Sequence, residues 1–147
     1  MKKTNDLRQE NLLLIQICAN TFWSEYNELL TDLNNLSENL SKIHRHSILR
    51  QHLQDEQNKY QQLENNFKTI ESKYQEIYQH SSLQLLTLIV NNQSESEHIQ
   101  HCLCELEQKW TYVKNNLDIC RNDLLQAMIR SDEFNAKLED STGWFDD

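Results

Sequence analysis

Residues 99–147 read IQHCLCELEQKWTYVKNNLDICRNDLLQAMIRSDEFNAKLEDSTGWFDD. Within this stretch Leu103, Leu106, Trp110, Val113, Leu117, Cys120, Leu124 and Ala127 follow one another at alternating steps of three and four. In an α-helix that spacing keeps them all on one narrow face, the a/d seam of a packed bundle or coiled coil. The stripe continues to Phe134 and Leu138, and Trp144 stands ten residues beyond Phe134. No proline interrupts it, and the only glycine, Gly143, lies four residues from the end. The last third of the chain therefore reads as one long helix.

The rest of the chain repeats the pattern. Leu12, Ile15, Ala19, Phe22, Tyr26, Leu29, Leu33, Leu36, Leu40 and Ile43 step by three and four, with Trp23 widening the stripe toward a second neighbour. A second run is Leu49, Leu53, Tyr60, Leu63, Phe67, Ile70, Tyr74 and Ile77, with Glu56 its single polar intruder. The two runs are out of phase, which predicts a reversal at His44–Ser47, with Ser47 as a helix cap. Two places suit a second reversal. Gln79–Ser82 is where the second run loses phase, and a turn there would end the second helix near His80. Asn91–Glu95 is the preferred place, because Ser94 and Glu97 form a capping-box pattern ahead of the final seam.

Composition agrees with an all-helical chain. Zero prolines and one glycine leave no chemistry for hairpins, while 37% hydrophobic residues suit narrow stripes better than a broad core. The expected fold is all-α: a left-handed antiparallel three-helix bundle, with helices at about 5–43, 47–91 and 95–128. Its structural seam is carried by Phe22, Tyr26, Leu33, Leu63, Phe67, Leu106, Trp110, Val113, Leu117, Leu124, Phe134 and Trp144. Trp110, in the middle of the most regular stripe, is expected to be buried among all three helices.

As an ordered set, Trp110, Arg121, Leu124, Ala127, Phe134, Leu138 and Trp144 resemble the junction between two successive spectrin repeats. In that family the third helix of one repeat, marked by a tryptophan and a later arginine and leucine, runs unbroken into the first helix of the next. That next helix is marked by an aromatic residue and a tryptophan ten positions on. The resemblance implies a repeat over 5–128 and the first-helix start of a truncated following repeat over 129–147. It also implies a non-catalytic structural spacer and protein-interaction module of a large cytoskeletal linker or scaffold, of the spectrin, dystrophin, spectraplakin or nesprin kind. Such proteins crosslink actin and microtubules, in the cytoplasm or on the outer face of the nuclear envelope. The implied partners are neighbouring repeats of a longer chain and cytoskeletal or membrane-scaffold proteins. The alternative is a dimerising coiled-coil tether or assembly subunit, which explains the heptads but neither the phase breaks nor the bulky aromatic seams.

Other chemistry finds little support. The formal charge of −9 opposes a nucleic-acid surface, and no apolar run is long enough to enter a bilayer as a span. His98, His101, Cys102 and Cys104 are zinc-type ligands, yet on a helix at most three of them converge, so no metal is expected. No cofactor and no catalytic residue is expected either, since one glycine builds no phosphate loop and a narrow bundle offers no cleft. The four cysteines, Cys18, Cys102, Cys104 and Cys120, suit thiols of a reducing cytoplasm. Asp132, Glu133, Glu139, Asp140, Asp146 and Asp147 make the C-terminal segment the most acidic, a charged face or a dock for a basic partner.

Overall fold

Helix α1 runs from Lys2 to Ser41 and α2 from Arg50 to Glu76. A single π-helical turn, Ile77–Ser81, leads into α3, Ser82–Leu88, and α4 spans Gln93–Phe145. The computed structural model describes the backbone of residues 2–47 and 49–145 and the side chains of residues 6–47 and 49–140. Among the described residues there is no strand. The side chain of Trp144, named in the expected seam, lies outside them.

The first reversal occupies the residues between Ser41 and Arg50. The end of α1 tightens through short-range bonds, Lys42 N–H to Asn39 O and Ile43 N–H to Leu40 O. Ser47 does not cap α2 directly. Its Oγ accepts the Leu49 N–H inside the turn, and the first α2 bond runs from Leu53 N–H to the Leu49 carbonyl.

The phase break at residues 79–82 is absorbed without a reversal. The Ser82 N–H reaches back to the Ile77 carbonyl, and Glu76 and Ser82 both keep right-handed helical angles. One extra residue is thereby wound into the helix. Ile77, Ser81, Ser82, Leu85 and Ile89 are all buried as a result. The chain turns instead at 89–92, where Ile89 leaves helical geometry at φ −105°, ψ 21°. The cap of α4 is Asn92 rather than the expected Ser94. Its Oδ1 accepts the Glu95 N–H at 3.2 Å, and its carbonyl accepts the first helical bond from Ser96.

Two compact units make up the chain. The first comprises Met1–Asn35 with Phe67–Thr111. Its side-chain pairs fix the helix directions. Lys73 meets Glu28 and Asp32 while Ser81 meets Glu25, so α1 and the second helical arm are antiparallel. Phe67 and Tyr74 meet Trp110 while Tyr78 bonds the Leu103 carbonyl, so that arm is also antiparallel to α4. Trp23 lies on His98 and Tyr26 beside Cys102, so α1 and α4 are parallel. This unit is an up-down-up three-helix bundle.

The second unit comprises Leu36–Asn66 with Tyr112–Asp147. Arg50 pairs with Asp132 at 3.4 Å while Tyr60 lies beside Arg121, again an antiparallel α2–α4 pair. Its core is Leu36, Leu40, Ile43, Leu53, Tyr60, Leu63, Val113, Leu117, Cys120, Leu124 and Ala127.

Four positions of the stripes depart from the periodic reading. Leu12, Leu49, Phe134 and Leu138 are 66%, 62%, 49% and 50% exposed. Each lies near the end of its stripe. Periodicity marks a face but not the length of what covers it.

Candidate functional site

The first unit is organised around an aromatic column. Trp110 stacks on Phe67 at 4.4 Å and 22° and on Tyr74 at 4.5 Å and 10°. Phe67 and Tyr74 are two helical turns apart, about 10 Å, so they cover opposite faces of the indole. Tyr74 continues the column to Tyr78 at 4.6 Å. Both stacking partners of Trp110 thus belong to α2. A second cluster joins Phe22, Trp23 and Tyr26 on α1 to His98 on α4. Of the expected seam, Phe22, Tyr26, Phe67, Leu33, Leu106 and Trp110 are buried in this unit, and Leu63, Val113, Leu117 and Leu124 in the other.

Burial raises the pKa of Tyr26 to about 12, with Cys102 and Glu105 adding to the effect. Burial also lifts Tyr60 to about 12, against a small opposing pull from Arg121. A raised folded-state pKa holds the proton where the unfolded chain releases it. The stabilisation is complete below the ordinary value of 10.0 and is lost as pH rises from there toward 12. Denaturant melts should therefore weaken steeply above pH 10, and Tyr26→Phe with Tyr60→Phe should flatten that slope. An unchanged slope in the double variant would assign the alkaline transition to other groups.

Polar contacts that the sequence does not advertise tie each unit together. Lys73 is shared between Glu28 at 2.8 Å and Asp32 at 2.9 Å, and hydrogen bonds to these carboxylates push its pKa up. Ser81, made to face inward by the π turn, donates to Glu25. In the second unit the intruder Glu56 is buried. Its Oε2 accepts the His44 backbone N–H at 3.0 Å, and its Oε1 accepts Lys59 Nζ at 3.0 Å. Burial pushes the Glu56 pKa up, but the bond from His44 and the bond and charge of Lys59 outweigh it and hold the carboxyl below its usual range. Arg45 of the same turn reaches Asp123 on α4 at 3.5 Å.

Around this turn lies a cavity of about 670 Å³ lined by His44, His46, His52, Asp55, Glu56 and Lys59, among others. Both Glu56 oxygens already hold structural bonds, so its carboxylate serves the turn first. The chain matches no family model, no curated protein and no solved structure. The His/Cys group of α4 is divided among different neighbours. His98 lies on Trp23, His101 pairs with Glu105 at 3.1 Å, Cys102 is buried beside Tyr26, and Cys104 is exposed. Among the described residues no three His, Cys, Asp or Glu side chains converge as a metal site. No helix of the described residues is long and apolar enough to cross a membrane.

Proposed function

We propose that this chain is a non-catalytic structural spacer and protein-interaction module, a left-handed spectrin-like three-helix repeat whose last helix leads into a following repeat. The observation that carries this reading is α4. Among the described side chains Ser131 is its last buried position, yet the helix continues to Phe145, and residues 132–140 are all exposed. Phe134 and Leu138 keep the stripe in phase along this extension while remaining half exposed. An apolar stripe carried past its last buried position suits a helix shared between neighbouring repeats, where the next pair of helices would cover it. The resemblance at Trp110, Arg121, Phe134 and Trp144 supplies the cytoskeletal part of the reading. Its partners are then neighbouring repeats and cytoskeletal or membrane-scaffold proteins in the cytoplasm.

Hydrogen exchange tests the reading. A helical extension of this length is marginal in water by itself. Amides beyond about Leu138 should exchange fast and those from Trp110 to Leu124 slowly. Adding two further helices in a longer chain should slow the extension and sharpen unfolding. An extension already as protected as the seam in this chain alone would overturn the proposal.

A further inference from the structure

The start of α1, in the first unit, carries a surface of its own. Trp23 lies on His98, and α4 begins at Gln93, five residues earlier. Since α1 and α4 are parallel here, the start of α4 stands level with about Cys18, and the earlier turns of α1 extend past it. Residues 6–14 are all exposed. Leu7, Leu13, Leu14 and Ile17 lie on this extension with 46–59% of their surface exposed. On the adjoining α3, Leu83 is 55% exposed, and Val90, just past it, 71%. Leu14 and Cys18 of α1 line a groove of about 440 Å³ with Leu83, Gln84, Thr87 and Leu88 of α3.

The charge pattern singles out the same place. A quarter of the chain is charged, yet no Asp, Glu, Lys or Arg occurs between Glu10 and Glu25 or between Glu76 and Glu95. These are the two longest uncharged runs, and they border one groove. A helix apolar on both its inner and outer faces needs a neighbour on each side. The described residues supply only the inner one.

We propose that this surface is a symmetric contact with a second copy of the chain. The outer face of each α1, from Leu7 to Cys18, lies in the α1–α3 groove of its partner. Charge favours this occupant. Two copies, each of net charge −9, repel wherever their carboxylates meet, and the uncharged run from Asn11 to Cys18, with Glu10 at its edge, is where they approach with least of that cost. Area favours it as well. Six half-exposed aliphatic side chains leave on the order of 600 Å² of apolar surface, close to the ~800 Å² per partner of a standard stable interface. Each copy carries both a groove and a helix that fills one, so the contact closes on itself as a dimer. The proposal goes beyond the spacer reading and stands without it.

Sedimentation equilibrium of the full chain tests it, from roughly 1 to 100 µM at low and physiological salt. The expected species is a dimer that tightens as salt rises, because salt screens the repulsion of two acidic chains. Leu14→Glu with Leu83→Glu should weaken it at least ~100-fold with unchanged helical circular dichroism, since both side chains are exposed in the single chain. Phe134→Glu, on the α4 extension of the second unit, should leave it intact. Hydrogen exchange of the unaltered protein supplies a check that needs no variant: residues 7–18 should gain protection as concentration rises. A monomer throughout the range, association that weakens with salt, a dimer indifferent to the double substitution or one abolished by Phe134→Glu would each overturn the proposal. So would concentration-dependent protection confined to other residues.

Discussion

Replacing Trp110 by alanine is expected to cost about 3–5 kcal/mol, the range for removing a large buried aromatic. The side chain is 9% exposed and stacked on both faces, by Phe67 at 4.4 Å and Tyr74 at 4.5 Å. Alanine would remove the middle of a stack and leave two rings facing a gap too wide for them to close without moving the α2 backbone. Against a total stability of roughly 5–15 kcal/mol, such a loss leaves the chain marginal. A melting temperature lower by about 10 °C is the corresponding thermal result for a chain of this size. Trp110→Phe should cost clearly less, because a smaller ring can keep one of the two stacks. A double-substitution cycle with Phe67→Leu should show coupling near 0.5–1.5 kcal/mol, the usual strength of an aromatic pair. A loss below about 1 kcal/mol for Trp110→Ala would place the ring at the periphery of the unit.

The stripes explain how much of this fold could be read in advance. From Phe22 to Ile43 and from Leu103 to Ala127 every periodic position is buried, because steps of three and four leave an apolar face that only a neighbouring helix can cover. The partners along those faces were harder to read. Trp110 is buried as its place in the stripe implies, but that both rings stacked on it come from α2 depends on the rotation of each helix, which periodicity does not give. The break at 79–82 competes with the preferred place at 91–95 in the sequence, because an inserted residue and a reversal leave the same trace in a heptad pattern. Here the insertion is a π turn, and the reversal falls at 89–92. The surface at the start of α1 did leave a signal: two uncharged runs in a charged chain. Such gaps become informative only when the fold puts them side by side.

Glu56 is the least legible of these residues, and it carries the second large expectation. A carboxylate in an apolar seam reads as an intruder, because its main partner, the His44 backbone N–H, is a group every sequence position possesses. Glu56→Ala should cost about 2–3 kcal/mol at neutral pH, since hydrogen bonds to an ionised group are worth ~1.5–3 and the part-buried His44 amide would lose its acceptor. Glu56→Gln should cost roughly half as much, because the amide oxygen still accepts from His44 while the charge facing Lys59 is gone. Lys59→Ala should fall within ~0.5 kcal/mol, as Lys59 is largely exposed and its pair is screened by solvent. Acid separates the charge from the packing. The folded-state pKa of Glu56 lies below the ordinary value of 4.5, so its contribution is complete above that value and is lost as pH falls through the folded one. Stabilities of the unaltered chain and of Glu56→Gln should therefore converge on acidification below about pH 4.5 and run parallel above it. Denaturant melts at pH 7 and pH 3 measure both. A Glu56→Ala loss under ~0.5 kcal/mol at pH 7, or a difference from Glu56→Gln that ignores pH, would mean that the turn between α1 and α2 holds without this carboxylate.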